Sequence, residues 1–399
     1  MACTHHRGGE HKLGVGEILR DHAGSLRLGR HQARVVHHLV ACRTGELGAH
    51  VEECDQCGYS RLSFHSCRDR HCPRCRTLDQ ALWAEARERS LLPVPYFHTV
   101  FTVPLSLHPL FRRAPALVLG LLFDAVAETL LEVAQRRLGA RIAFTAVLHT
   151  WNQKLFYHPH IHCLVTGGGL SQDGDRWIGC RPGFFLPYAV LKNVFRGKFL
   201  SKLAVAHDDN RFGIDRLLGR HLLESAARQR WVVYAKPPLA GPQQVVRYVS
   251  RYTRRIALSN SRILDYDGQA VAFRWRDRAH GNRPMTLRVA GAEFARRFVL
   301  HILPPRFVRI RHYGLLSNRV RTRMLDRCRT LVPEVDAGLA LPKPPTPPQI
   351  ENRADACLRL FGKDPARCPA CGQSRMVRRY EWMPSGRLPP RSFAAGRSP

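Results

Sequence analysis

The sequence predicts an α+β fold in which helices back an antiparallel sheet, preceded by a helical, cysteine-rich region. Apolar residues alternate, as in strands, through residues 97–103, 142–148 and 231–235. Residues 117–138 have the apolar spacing of one long helix. A further strand-like segment, 157–165, comes after the second strand and a short link, which favours antiparallel pairing over a doubly wound parallel sheet.

Upstream of the sheet, residues 15–44 are predicted to be mostly helical. Their apolar side chains recur at roughly helical spacing, and Gly24 and Gly29 are expected to interrupt the helix. No pattern in this segment indicates chemistry, so we expect a helical platform that packs on the downstream part of the chain.

Two Cys-x-x-Cys knuckles come next along the chain. Each knuckle offers two thiolates from one tight turn, and two knuckles complete a tetrahedral zinc site. The predicted Zn²⁺ ligands are Cys54, Cys57, Cys72 and Cys75. The spare donors are Cys67, His71, His65 and His50. Cys67 could replace one of the four, or a second ion could be held; free buried thiols are the disfavoured alternative.

Arginines surround these cysteines. Because cationic side chains contact phosphates, we expect the zinc module to touch DNA as well as to brace the fold. The arginines concerned are Arg61, Arg68, Arg70, Arg74 and Arg76.

The strand-like segment 157–165 carries alternate histidines. In a strand, His158, His160 and His162 share one face, while apolar residues fill the other. This pattern can fix imidazoles towards one metal ion and anchor the strand in a core. The three glycines at 167–169 are expected to end the strand, and the alternative is an edge strand that is merely rich in histidine.

A second chemical motif lies in residues 241–255. Tyr248 and Tyr252 are four residues apart, which places them on one face of a helix. No acidic residue occurs in the segment, and its arginines are expected to favour phenolate and to bind DNA. These arginines are Arg247, Arg251, Arg254 and Arg255.

The charge balance favours a polyanionic partner. Lys and Arg total 63 against 31 Asp and Glu, a net charge of +32, so nucleic acid is the first candidate. Between Arg296 and Arg329 there are ten arginines and one acid, interleaved with aromatic residues, which predicts a phosphate-contacting surface. No apolar run is long enough to span a membrane, so we expect an intracellular protein whose cysteines are thiols or metal ligands.

These motifs together resemble those of a known superfamily. His160-Ile161-His162 matches the His-hydrophobe-His (HUH) motif of HUH endonucleases, and Tyr248 and Tyr252 match the paired tyrosines of its two-tyrosine transposases. The segment 66–75 resembles the zinc-binding domain of transposases of the insertion sequence 91 family. The zinc module, HUH strand and tyrosine helix come in the same order, and the similarity spans most of the chain.

The resemblance implies a rolling-circle-like transposase with a ferredoxin- or RRM-like sheet. In that family one tyrosine attacks a phosphodiester, leaving a 5′-phosphotyrosine and a free 3′-OH, and the second tyrosine serves a second strand transfer. The implied ion is Mg²⁺ or Mn²⁺, and no ATP is needed. The implied partner is single-stranded DNA of the element ends and target, in the cytoplasm at the bacterial nucleoid. The sequence leaves the oligomeric state open.

The third protein ligand of the active-site ion is less directly indicated. Related nucleases use His, Glu or Gln, and Gln153 lies seven residues before His160, similar to the ligand spacing in some replication initiators. We favour Gln153 beside His160 and His162, with His158 and His149 as alternatives. Residues 141–170 contain no Asp or Glu. Because two-metal nucleases bridge their ions with carboxylates, this argues against a generic two-metal nuclease.

The C-terminal part is predicted to be a linker and a tail. A proline-rich stretch leads to a lone knuckle, Cys368 and Cys371, which supplies half of a tetrahedral site. Cys357 or another part of the chain could complete a second zinc site, and the alternative is a loose turn. The predicted domains are a helical and zinc-binding domain (1–92), a catalytic domain (93–330), a linker (331–350) and a tail (351–399).

The motif order and the charge are also compatible with two other functions. A replication initiator would use the same nicking chemistry and the same motif order. A non-enzymatic, zinc-dependent DNA-binding regulator would explain the charge and the cysteines, but would leave the HUH strand and the tyrosine pair without a role.

Overall fold

The computed structural model describes residues 13–181, 183, 185–236, 257–277, 280–332 and 352–384. Its strands are β1 (Ala49–Cys54), β2 (Ser60–Phe64), β3 (Tyr96–Thr102), β4 (Arg141–Trp151), β5 (Tyr157–Leu170), β6 (Trp177–Gly179), β7 (Val233–Lys236), β8 (Ile263–Tyr266), β9 (Ala270–Asp277), β10 (Arg283–Ala290), β11 (Ile310–Gly314) and β12 (Met376–Trp382). Its α-helices are α1 (Val15–His22), α2 (Arg30–Ala41), α3 (Thr77–Glu88), α4 (His108–Arg113), α5 (Pro115–Leu138), α6 (Tyr188–Asp208), α7 (Arg216–Arg228), α8 (Gly291–Val299), α9 (Arg321–Leu331) and α10 (Arg353–Phe361). Helices combined with antiparallel strands confirm the predicted α+β class.

The largest sheet has six antiparallel strands in the order β11-β4-β5-β3-β7, with β6 paired to the end of β5. On one face, Ile161, Cys163 and Val165 are fully buried in the same apolar core as α5. Burying side chains such as those of Ile161 and Val165 contributes roughly 1.5–3 kcal/mol each. The opposite face carries His160 and His162, as the alternation predicts.

The three glycines at 167–169 do not end β5, contrary to the sequence expectation. The strand continues to Leu170, and its last residues pair with β6. Side chains would collide here, because a Cβ on Gly169 would lie 2.3 Å from the carbonyl oxygen of Arg141. The glycines therefore allow close strand packing. β5, which carries the histidines, is an interior strand of the sheet and lies between β4 and β3.

A three-stranded sheet in the order β10-β9-β8 holds the N-terminal helices. The backbone N–H of Val15 donates to Asn260 Oδ1 at 3.3 Å, and His22 Nε2 lies 3.1 Å from the carbonyl oxygen of Gly268. α1 also contacts α2 and α8. This is the predicted helical platform, interrupted between residues 23 and 29. Within the residues that the structure covers, no helix has the length and apolar character needed to cross a membrane.

The segment 352–384 returns to the N-terminal region. β12 pairs with β1, whose other edge pairs with β2, so that the third sheet has the order β12-β1-β2. α10 lies against α3, where Arg359 donates to both carboxylate oxygens of Glu85 at 2.9 and 3.0 Å. Within the predicted tail, the described residues 352–384 thus contain a helix and a strand that extend the zinc module. The predicted domain boundaries stay predictions.

Candidate active site and metal-binding clusters

Three imidazoles meet on the sheet face opposite the main core. His149 on β4 pairs directly with His160 on β5, and His162 lies two residues further along β5. Their exposed fractions are 2%, 8% and 8%. One ring nitrogen of each lies within 4.8 Å of the others. Two adjacent strands therefore bring three metal donors together.

Hydrogen bonds at Nδ1 orient the imidazole rings of His160 and His162. His160 Nδ1 lies 2.6 Å from the carbonyl oxygen of His158, so Nδ1 donates and Nε2 carries the lone pair. His162 Nδ1 lies 2.8 Å from Nε2 of His98 on β3. The two Nε2 atoms consequently face each other at 3.0 Å. Hydrogen bonds of this kind orient metal-ligating histidines, and sequence reasoning assigned no such role to His98.

His149, one of the two histidine alternatives, completes a group of three imidazoles. Gln153 lies in the turn after β4, where its carbonyl oxygen accepts a hydrogen bond from Arg262 at 2.6 Å. The pairing of β4 with β5 sets His149 opposite His160. Strand register therefore adds His149 as a third imidazole donor, and the assignment of Gln153 as the third ligand stays a prediction.

His158 does not join the cluster, although alternation places it on the same face. His149 pairs with His160, but the next pair joins Trp151 to Tyr157, so β5 contains one extra residue. Such a bulge changes the direction of the side chains beyond it. Burial lowers the pKa of His158.

A further buried histidine, His301, packs beside Trp151, which contacts the site. Thr150 Oγ1 lies 3.2 Å from His301 Nδ1, and His301 Nε2 donates to the carbonyl oxygen of Leu155 at 3.1 Å. Burial lowers the pKa of His301 to about 4, so this ring is neutral at pH 7. Trp151 stacks on His149 with ring centroids 4.5 Å apart. His301 reaches these partners from a distant part of the chain, so no sequence motif marks it.

The predicted nucleophiles, Tyr248 and Tyr252, lie outside the described residues. β7 ends at Lys236, which pairs with His98 on β3. The predicted DNA-binding arginines also lie outside the described residues, and the roles of all six residues stay predictions. These arginines are Arg247, Arg251, Arg254 and Arg255.

The cysteines form two separate clusters of four sulfurs. Cluster 1 consists of Cys42, Cys67, Cys72 and Cys75, and cluster 2 consists of Cys54, Cys57, Cys368 and Cys371. Within each, all four sulfurs lie within 4.8 Å of one another. Close sulfur pairs are 3.6–3.7 Å apart. Disulfides need about 2.05 Å, whereas tetrahedral Zn–S bonds of ~2.3 Å separate sulfurs by about 3.8 Å, so both clusters fit Zn²⁺.

The predicted single site of Cys54, Cys57, Cys72 and Cys75 is therefore corrected: the two knuckles belong to different clusters. The second knuckle meets the spare donor Cys67 and also Cys42, which comes directly after α2 and has no knuckle of its own. The first knuckle meets the C-terminal knuckle.

Backbone donors favour thiolate in the C-terminal knuckle. The N–H groups of Gln373 and Ser374 lower the pKa of Cys371 to about 6. A thiol must lose its proton to bind a metal ion, so this turn is prepared for that role.

The spare histidine donors have other partners. His71 Nδ1 lies 2.8 Å from Asp69 Oδ1, and the N–H of Leu303 donates to His71 Nε2 at 3.1 Å. His65 Nδ1 donates to the carbonyl oxygen of Leu47 at 3.0 Å. His71 thus connects cluster 1 to the segment that leads into β11.

Two of the arginines around the zinc module brace the fold, and their contact with DNA stays a prediction. Arg70 donates to the carbonyl oxygens of Pro304 and Phe307 at 2.6 and 2.5 Å. Arg74 donates to the carbonyl oxygen of Cys42 at 3.1 Å. These contacts join cluster 1 to neighbouring segments.

In the basic stretch 296–329, some arginines pack on aromatic rings and others are exposed to solvent. Arg297 lies over the ring of Phe156 and Arg311 over that of Phe123, each 4.2 Å from the ring centroid. Such cations stabilise packing. The exposed arginines of this stretch are Arg296, Arg306, Arg319, Arg323, Arg327 and Arg329.

Two family models match the chain. One, described as "Transposase zinc-binding domain", matches residues 16–103, and the other, described as "Putative transposase", matches residues 143–323. The second range contains the three histidines, and the first contains cluster 1 and half of cluster 2. The class of protein is therefore a transposase with an N-terminal zinc-binding domain.

Relatives extend this match over most of the chain. A Sinorhizobium fredii protein named "Putative transposase y4qJ" is 46% identical over 378 residues, covering 91% of this chain and 94% of that protein. "Transposase for insertion sequence element IS801" from Pseudomonas savastanoi pv. phaseolicola is 29% identical over 367 residues, covering 87% and 83%. No solved structure matches the chain. The chain belongs to the transposase family of insertion sequence 91, as its motifs predict.

Proposed function

We propose that this transposase nicks and rejoins single-stranded DNA at element ends through 5′-phosphotyrosine intermediates. The observation that carries the proposal is the convergence of His149, His160 and His162 in one buried donor set. The HUH motif supplies two of these donors, and strand register supplies the third. The net charge of +32 favours binding to DNA phosphates.

The three histidines would hold one Mg²⁺ or Mn²⁺. Ligands in adjacent octahedral positions, with bonds of ~2.1 Å, lie about 3.0 Å apart. The Nε2 atoms of His160 and His162 have this separation, 3.0 Å. A bound divalent ion supplies Lewis acidity at the scissile phosphate. Because the donors are imidazoles rather than carboxylates, we expect Mn²⁺ to support activity at lower concentration than Mg²⁺.

Tyr248 and Tyr252 are the proposed nucleophiles. The phenol loses its proton and its oxygen bonds to phosphorus, while the bond from phosphorus to the 3′ oxygen breaks and that oxygen leaves as a hydroxyl. Attack by a 3′-OH reverses these changes and rejoins a strand. One ester replaces another in each step, so no ATP is consumed. A phenol with a pKa near ~10 is a poor nucleophile at neutral pH, so nearby arginines are proposed to favour phenolate.

His98 is proposed as a positioning residue. When His162 offers Nε2 to an ion, its Nδ1–H needs an acceptor, and His98 Nε2 lies 2.8 Å away. Loss of such an outer partner typically weakens metal binding by about 10–100-fold. We expect His98→Phe to raise the Mn²⁺ concentration needed for half-maximal nicking by ~10-fold or more and to leave the rate at saturating Mn²⁺ within a few-fold. An unchanged Mn²⁺ dependence would remove His98 from this role.

A covalent-trapping assay tests the function. The protein is incubated with labelled single-stranded DNA from a candidate element end and Mn²⁺, then resolved on a denaturing gel. We expect a metal-dependent protein–DNA adduct that disappears in the Tyr248→Phe/Tyr252→Phe double variant and in His160→Ala. The single tyrosine variants show which residue acts first.

The matched control is Tyr188→Phe, which alters an exposed tyrosine on α6. It should form the adduct like the parent. Retained DNA binding without an adduct on any end sequence, or an adduct that survives the double variant, would refute tyrosine-mediated nicking.

A further inference from the structure

We infer that cluster 2 is a second structural zinc site, through which the C-terminal segment 352–384 completes the N-terminal domain. The matched zinc-binding domain, residues 16–103, contains all four sulfurs of cluster 1. It contains Cys54 and Cys57 of cluster 2 but neither Cys368 nor Cys371. The family match therefore accounts for one ion, and the structure assigns another.

The two knuckles of cluster 2 have the same local structure. The N–H of Gly58 donates to the carbonyl oxygen of Cys54, and the N–H of Gly372 donates to that of Cys368, both at 3.0 Å. The φ angles of the two glycines are +67° and +65°, a left-handed conformation that favours glycine. One turn type therefore occurs twice, with its sulfurs facing each other, which is how paired knuckles complete a tetrahedral zinc site.

The apolar core around cluster 2 is very small. It consists of Cys54, Cys368 and Met376, with Cys371 packed beside it. Larger apolar side chains of this sheet are 44–73% exposed, namely Leu62, Phe64, Tyr380 and Trp382. Small units with so little core are usually held together by disulfides or metal ions, and the sulfur separations of 3.6 and 3.7 Å exclude disulfides.

Polar contacts alone are weak support for the segment. Arg353 pairs with Asp79 and Arg359 with Glu85, but both arginines are exposed. Exposed ion pairs contribute little because water screens them. A tetrahedral Zn²⁺ bound by four thiolates would reinforce these ion pairs and the pairing of β12 with β1, and the transposase then carries two structural zinc ions.

Thiol accessibility in the full-length parent tests this inference. Cys57 is exposed and Cys371 half-buried, so as free thiols both would react quickly with iodoacetamide. In the zinc-loaded protein we expect alkylation at these positions to be at least ~10-fold slower than after chelation, because bound thiolates are poor nucleophiles towards the reagent. Mass spectrometry of the digested protein measures each position.

Zinc content provides the second measurement. Cys368→Ser/Cys371→Ser should hold one zinc ion fewer per chain than the parent, and amide hydrogen exchange of β12 should become faster. The matched control, Cys357→Ser, changes a half-buried cysteine of the same segment that belongs to neither cluster and should keep the parent's zinc content.

Three results would overturn the inference. They are alkylation of Cys57 at the same rate before and after chelation, equal zinc content in the parent and the double variant, and iron in place of zinc. Should the double variant fail to fold, the alkylation rates of the parent still decide the question.

Discussion

Cluster 1 and cluster 2 present four sulfurs each in opposite surroundings. Close sulfur pairs in cluster 1 join residues 8 and 30 positions apart, whereas those in cluster 2 join residues 311 and 317 positions apart. Cys42, Cys72 and Cys75 pack within the main apolar core, but cluster 2 has almost no core around it. The same ligand set therefore adds to an existing core in one place and substitutes for a core in the other.

The largest effect is expected from Cys72→Ser. Cys72 is 5% exposed and packs in the main core, so loss of its thiolate removes both the ion and core packing. Because structural zinc contributes about 10–16 kcal/mol of apparent binding free energy in small domains, we expect the N-terminal region to lose several kcal/mol of stability. Denaturant unfolding followed by circular dichroism measures this, with Cys180→Ser, outside both clusters, as the control. If Cys371→Ser destabilises the protein equally, the contrast between the clusters fails.

Metal removal should separate the clusters in time. Cys57 is exposed, whereas Cys42, Cys72 and Cys75 are buried, so a chelator reaches cluster 2 first. Regions with few buried contacts open most readily, so we expect cluster 2 to lose its metal about 10-fold faster than cluster 1. Hydrogen exchange in β12 should therefore accelerate before hydrogen exchange in α2. Simultaneous acceleration would show that the two clusters share one unfolding unit.

A smaller effect is expected from His71→Phe. The side chain of His71 is 1% exposed and accepts the N–H of Leu303, so its loss leaves a buried donor unpaired and costs about 1–3 kcal/mol. The matched variant is His65→Phe, beside the third sheet, where the side chain is 20% exposed and less than ~1 kcal/mol is expected. Denaturant midpoints compare the two, and equal shifts would mean that cluster 1 is not specially connected to the segment that leads into β11.

The smallest effect is expected from Arg359→Ala. This change removes an exposed ion pair between α10 and α3 that contributes at most ~1 kcal/mol. Zinc content should remain that of the parent, as it should in Arg136→Ala, which removes an exposed pair within α5. Loss of one zinc ion in Arg359→Ala would show that ion pairs, and not the thiolates, hold the C-terminal segment.

Sequence predicts the parts of the molecule that short-range geometry decides. His160 and His162 share a strand face because side chains alternate, and each Cys-x-x-Cys knuckle is a single tight turn. The long helix α5 is predicted by its apolar spacing for the same reason. In each case the deciding residues lie close together along the chain.

The remaining parts depend on pairing between distant segments. His149 becomes the third donor through the register of β4 on β5, and the bulge near His158 has no local signal. Cys42 joins cluster 1 at the end of α2, and Cys368 joins cluster 2 through the return of β12 to β1. One signal was present in the sequence: three knuckles with Cys42 and Cys67 supply eight sulfurs, enough for two tetrahedral sites.

The pairing of β12 with β1 also sets an order of events during synthesis. A ribosome releases the chain from its N-terminus, and structural units form as they emerge. Cluster 1 has all its sulfurs once Cys75 is free, whereas cluster 2 waits for Cys371. Until then one edge of β1 lacks its strand partner, and open strand edges promote aggregation. A chain that stops before β12 therefore keeps this edge exposed, so closure of the third sheet marks a translation product that extends through β12.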